Sequence, residues 1–236
     1  MHNAAHMEST TGAGPHAALA VASRDSAAAR YALAQRYARC ALIAETPQSM
    51  TDQMKMGDAN RVGDAVTAGA EKRLDAQEMQ RAACRRVGAG EYAQVEQLLR
   101  QSAAADNVDA QIELLRRRAS AVLERQPPAA VDGTAPLSTS DHAEAEQVLA
   151  ALEALAMQGH RTAMTVLDQL LSSPLPGTAE PLYGDAWRLV AEQPFGRPLP
   201  EAQPLRGEAM FEDMVAQTEQ QVVALARDLH ARCCAR

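Results

Sequence analysis

Three side chains near the end of the chain have metal-capable spacing. His230, Cys233 and Cys234 stand at i, i+3 and i+4, so on a helix they share one face. No fourth ligand is visible, and no metal is assigned. The four cysteines are Cys40, Cys84, Cys233 and Cys234. They form no CxxC, so neither a zinc ribbon nor a thioredoxin-type redox site is supported. Vicinal cysteines near a chain end also suggest prenylation, but Ala235 and Arg236 follow them and no matching motif exists.

Catalytic patterns are missing. The sequence has no GxSxG, HExxH, Walker loop or GxGxxG. His142 and His160 have no nucleophile beside them and read as exposed polar residues. Glu144 and Glu146, like Glu208 and Glu212, read as first-turn carboxylates that complement a helix dipole. No catalytic residue and no cofactor is therefore assigned, and the chain is not read as an enzyme. The run Arg116, Arg117, Arg118 has two readings: an anion patch, or a solvated helix face partly paired with Glu113. Net charge is −7, which disfavours a general nucleic-acid binder.

The elements that must position these residues are helices. Alanine occupies 50 of the 236 positions and aromatic residues only 3%. Alanine has the highest helix propensity and lets helices approach closely. No segment alternates as a half-buried strand does, so the fold class is all-α. No apolar run approaches the ~20 residues of a membrane helix. The start of the chain has neither the basic region nor the apolar core of a complete signal peptide.

Residues 1–24 read as a disordered leader or tag remnant. A first helical region covers 25–125. Within it, a helix from Asp25 or Ser26 to Ala44 turns Ala29, Leu33, Tyr37, Cys40 and Ala44 to one side. A glycine-interrupted stretch follows over about 50–73. Leu74–Val87 then forms a helix with Ala76, Met79, Ala83 and Val87 inward. From Gly90 to Leu115 two amphipathic halves flank Asp106 and Asn107, which tolerate the left-handed conformation of a helix end. Residues 126–140 are a linker rich in Pro, Gly and Ser. The C-terminal region, 141–236, opens on a helix capped by Asp141 with Glu144 as its capping-box partner. A helix carrying Ala163, Leu167 and Leu171 follows. Next come a short helix around Trp187, an extended Pro-rich segment over 194–207, and a long final helix over Glu208–Arg232. Its expected apolar side is Phe211, Met214, Thr218, Val222, Leu225, Leu229 and Cys233. Trp187 and Phe195 are expected in the core.

Small residues recur at fixed places in these helices. One series is Leu98, Ser102, Ala103, Asp106, Ala110, which returns as Leu155, Ala156, Gly159, Ala163. Another is Ala29, Leu33, Ala34, Tyr37, which returns as Ala163, Leu167, Asp168, Leu171. The pattern resembles the tetratricopeptide-like superfamily, in its Sel-one-like branch, over about half the chain. Asp106 stands where that pattern has glycine, and its Leu-Gly pair is never intact. The resemblance implies an antiparallel helix-pair array, an α-solenoid, here with a long C-terminal capping helix. It implies a protein-interaction module with a concave groove lined by the first helix of each pair. Groove positions are then Arg30, Gln35, Gln111, Arg118, Asp168 and Arg188. Their surplus of Arg suggests a protein or peptide partner, acidic or carboxylate-bearing. The resemblance also implies a bridge between Cys40 and Cys84, as in exported members of the class; two buried free thiols are the alternative. A bridge would place the protein in the periplasm or outside the cell, and free thiols in the cytoplasm. Two other classes stay open: a structural or self-assembling helical protein, and a helical enzyme whose site only the fold assembles.

Overall fold

A computed structural model describes residues 26–45, 75–76, 78–125, 137–172, 180–199 and 214–234. Within them the ordered elements are α-helices, and no strand occurs among the described residues. We number these α1 (Ala27–Glu45), α2 (Ala89–Tyr92), α3 (Val95–Ala103), α4 (Val108–Glu124), α5 (Thr139–Met157), α6 (Arg161–Ser172), α7 (Pro181–Glu192) and α8 (Ala216–Cys233). The expected leader, the glycine-interrupted stretch, most of the linker, the latter half of the Pro-rich segment and the expected first turns of the final helix, with Glu208, Phe211 and Glu212, lie outside the described residues. The chain divides into two compact units, Met1–Ala110 and Gln111–Arg236.

In the first unit Ser26 caps α1, its Oγ accepting from the Ala29 N–H at 3.1 Å. Helix α1 packs on α3. It buries only Ala34 and Cys40, while Leu33 and Tyr37 are half-buried. Helix α3 supplies Val95, Leu99 and Ser102. The fully buried Ser102 hydroxyl donates to the Ala27 carbonyl at 2.6 Å. Two small apolar side chains give α1 little hydrophobic purchase, so polar ties and a covalent one hold it. Cys40 and Cys84 form a disulfide, with α-carbons 5.3 Å apart. Beside it Arg36 Nη2 donates to the Ala83 carbonyl at 3.3 Å. Tyr92 Oη donates to the Val87 carbonyl at 3.0 Å, with the Cys40 carbonyl at 3.5 Å. Helical residues 78–84 depart from their expected burial, since Ala83 is exposed and Met79 is 68% exposed. The bridge and the Arg36 contact fasten that segment, and its thin apolar stripe does not.

The C-terminus of α3 closes as a Schellman motif. Asp106 is left-handed at φ 59°. Its N–H donates to the Ala103 carbonyl, and the Asn107 N–H to the Ser102 carbonyl. Asn107 then opens α4, its Oδ1 accepting from the Ala110 N–H at 2.8 Å. The end of α5 repeats this turn. Gly159 has φ 90°, its N–H donates to the Ala156 carbonyl, and the His160 N–H donates to the Leu155 carbonyl.

The second unit packs α5 on α6, α6 on α7 and α7 on α8. Its core is Val148 and Leu152 from α5, Met164 and Leu167 from α6, Trp187 and Val190 from α7, and Val222 and Leu229 from α8. Trp187 is fully buried, as expected. Phe195 departs from expectation: it is 44% exposed and lies under the Arg161 guanidinium, 4.4 Å from its ring centre. The cap of α5 also departs. Ser138 is the N-cap, accepting from the Asp141 N–H at 3.1 Å and donating to Asp141 Oδ2 at 2.6 Å. Asp141 thereby takes the reciprocal role inside the first turn. The buried side of α8 is Glu219, Val222, Val223, Ala226, Leu229 and His230. The helix begins at Ala216, with Met214 and the extended Val215 outside it and not within a helix from Glu208 as expected. Its buried face is rotated by one residue from the expected stripe, leaving Leu225 38% exposed.

Candidate functional site

The six residues expected to line a groove fall into separate settings. Arg30 and Gln35 are both half-buried on α1. Five residues of helix rotate them about 140° apart, so they do not share a face. Gln111 and Arg118 lie seven apart on α4 and share one face to within about 20°. Arg118 Nε contacts Glu144 Oε1 at 3.4 Å. Arg125 joins the same cluster, its guanidinium reaching Asp141 at 2.8 Å and Glu144 at 2.7 Å. Ser138 first, and Arg125 after it, hold the Asp141 carboxyl below the usual range. Arg118 is therefore engaged within its own unit.

Asp168 and Arg188 come together on neighbouring helices α6 and α7. Burial pushes Asp168 up, opposed by the Arg188 charge and by a hydrogen bond from Ser172 Oγ to Asp168 Oδ1 at 3.3 Å. Burial also pushes Asp185 up, again against Arg188. Arg188 itself contacts Glu192 at 3.5 Å. Three carboxylates thus surround one guanidinium. This patch attracts a cationic group more than an anionic one, so the arginine surplus expected from sequence does not hold here. Asp168 binds its proton more tightly folded than unfolded. The stability this contributes is present below the unfolded pKa of ~3.9 and is lost as pH rises through the folded value. Asp168→Asn is accordingly expected to melt higher than the parent at pH 7 and nearly equally at pH 3. A lower melting temperature for the variant at pH 7 would contradict this.

The Arg116–Arg118 run is divided between partners. Glu113 is 9% exposed and accepts from Arg116 Nε and Nη2, both at 2.8 Å, and from Arg117 Nε at 2.9 Å. Burial raises the Glu113 pKa, but the two arginines outweigh it and the carboxyl titrates below its ordinary range. The solvated-face reading of this run fits its first two members, which Glu113 holds.

Cys233 and Cys234 are joined to each other. Nothing in their spacing signals that bond. It removes the thiolates that a metal would need beside His230. No group of three His, Cys, Asp or Glu side chains among the described residues could hold a metal ion.

An apolar pocket of about 440 Å³ opens where Glu180–Tyr183 meet Leu225. The Tyr183 hydroxyl is turned away to Glu153 Oε1 at 2.6 Å. Burial and that carboxylate push the phenol up. Its ring meets Trp187 edge-on at 6.1 Å. Sequence alone hides the pocket, because Leu225 reads there as part of the buried stripe.

No protein-family model matches this chain, and no curated protein or solved structure matches it. No helix among the described residues is long and apolar enough to cross a membrane.

Proposed function

We propose that the chain is a helical-repeat module that binds a polypeptide and catalyses no reaction. One observation carries this reading: two helix–turn–helix segments share a register of buried and left-handed positions. Val95, Leu99, Asp106 and Ala110 correspond to Val148, Leu152, Gly159 and Ala163. The third member of each set is the left-handed helix end, and the others are buried. Asp106 takes the place that glycine holds in the second copy, which explains the main departure from the repeat pattern. Repeated helix pairs, antiparallel as in an α-solenoid, are built to present surfaces. The step from that architecture to binding is analogy at the level of fold.

On this reading Arg30 and Gln35 serve the first unit's surface. Gln111, Arg118, Asp168 and Arg188 serve the second's. The partner is a protein or peptide with carboxylates for the arginines and cations for the Asp168 patch. Pairing of all four cysteines suits an oxidising compartment, the periplasm or the cell exterior. Arg118 supports Glu144, so Arg118→Gln disturbs the fold less than charge reversal. The double variant Arg30→Glu/Arg118→Gln is expected to keep its circular dichroism and lose about tenfold in affinity for an acidic polypeptide. A folded variant with unchanged affinity at the same salt concentration would remove these residues from the site.

A further inference from the structure

The polypeptide after α7 does not leave the second unit at once. Residues 193–199 are fastened to it. Arg161 donates to the carbonyls of Ala191 and Gln193, both at 2.8 Å, while its guanidinium covers Phe195. Gln193 Nε2 donates to the carbonyls of Arg197 and Pro198 at 3.3 and 3.0 Å. Gly196, at φ 73°, donates its N–H to the Cys234 carbonyl at 3.1 Å. That last bond caps a carbonyl at the end of α8 and so blunts the negative end of its dipole. The segment is thus a wall held at several points.

Between this wall and α8 lies a cleft of about 510 Å³. Among the described residues its ionisable lining is Arg197, Arg227 and His230. Pro198, Leu199 and Ala231 supply apolar surface. His230 is 4% exposed, and its Nε2 is buried with no hydrogen-bond partner among the described residues. A buried ring nitrogen without a partner costs free energy. His230 lines the cleft, and a turn of its ring that brings Nε2 to the cleft would let a ligand oxygen supply the missing partner. On α8 itself, Asp228 contacts Arg232 at 3.3 Å, and the buried Glu219 lies near the opposite end of the helix.

We propose that this cleft binds an organic carboxylate, its oxygens met by Arg197, Arg227 and His230 and its carbon body lying on Pro198, Leu199 and Ala231. The size suits a small organic acid or one acidic side chain better than an inorganic ion. Planar guanidinium forks fit carboxylate geometry, and the positive lining draws an anion to a chain whose net charge is −7. A free organic acid would bind whatever else the protein does. Where the carboxylate belongs to a polypeptide, the inference rests on the interaction-module reading above and gives that partner its anchor.

The test is a nuclear magnetic resonance titration of the full chain with N-acetylglutamate, following the His230 ring signals, assigned by their loss in His230→Gln. N-acetylglutamine amide, which is neutral, and inorganic phosphate are titrated alongside. N-acetylglutamate is expected to move the His230 signals saturably, and N-acetylglutamine amide, which carries no carboxylate, is not. Arg197→Gln removes an exposed side chain and leaves the backbone acceptor of Gln193 in place. It is expected to raise the dissociation constant about tenfold or more, and Arg227→Gln to do likewise. Equal response to the neutral and charged compounds would overturn the proposal. So would unchanged affinity in both arginine variants, or tighter binding of phosphate than of the carboxylate. Acidic-polypeptide binding that survives Arg197→Gln and Arg227→Gln would refute the anchor and leave the module reading intact. Tight N-acetylglutamate binding by a protein that takes no acidic polypeptide would do the reverse.

Discussion

Replacing Cys40 and Cys84 together by alanine is expected to lower the stability of the first unit by about 4 kcal/mol, from chain-entropy scaling for a separation of 44 residues. The size of the effect follows from what else holds α1. Its buried side chains are Ala34 and Cys40, and together they shield little apolar area. The Ser102, Arg36 and Tyr92 contacts are single hydrogen bonds, each worth about 1 kcal/mol net. The bridge is therefore the strongest tie between α1 and the helical residues 78–84. Alanine is the proper replacement because Cys40 is 2% exposed, and a buried serine hydroxyl would add its own cost. Denaturant unfolding with and without reductant measures the effect. The parent should lose stability on reduction and the double variant should change little. In that variant reductant acts only on the bond between Cys233 and Cys234, which are adjacent and enclose almost no chain. A parent indifferent to reductant would show that the bridge carries no stability.

The helical class is legible in the sequence because alanine content and 3.6-residue spacing point the same way. Asp106 is legible as a turn because few residues accept positive φ, and the structure puts it there. The Arg116–Arg117 pairing with Glu113 is legible because its partners are three and four residues apart. What sequence misses is mostly contact over distance. The partners of Arg118 and Arg125 lie 26 and 16 residues away, and nothing local marks them. The cap of α5 reads three residues late because Ser138 and Asp141 both suit the position. Only geometry shows that one accepts the first-turn N–H and the other answers it. On α8 the apolar residues are dense enough that two adjacent faces read alike. Burial of Val223 and Ala226 in place of Leu225 decides between them. Hydrophobicity alone places Phe195 inside; it stays 44% exposed, its ring covered by the Arg161 guanidinium.

Gly184→Val should cost the second unit about 2–3 kcal/mol, in the range of overpacked cores. Helix propensity alone argues the other way, since glycine inside a helix is about 1 kcal/mol worse than alanine. Packing decides the sign. At Gly184 the backbone of α7 presses on α6. A β-carbon there would stand 2.8 Å from Ser172 Oγ, 3.2 Å from the Asp168 carbonyl and 3.2 Å from Leu171 Cβ. Ser172 can rotate away, giving up its bond to Asp168. The Asp168 carbonyl belongs to the α6 backbone and cannot. Gly184→Ala should therefore fall between parent and Gly184→Val, its clash partly offset by the propensity gain. The valine branch adds atoms to the same crowded site, so the two helices must part. The core residues Trp187 and Leu167 then lose contact as well. Because Asp168 and Arg188 lie on the two helices that separate, the same variant should ease the burial that raises the Asp168 pKa. Chemical denaturation of the three proteins tests the order, and a carbon-13 titration of the Asp168 carboxyl tests the second effect. Valine as stable as glycine at this position would mean that α6 and α7 do not approach so closely.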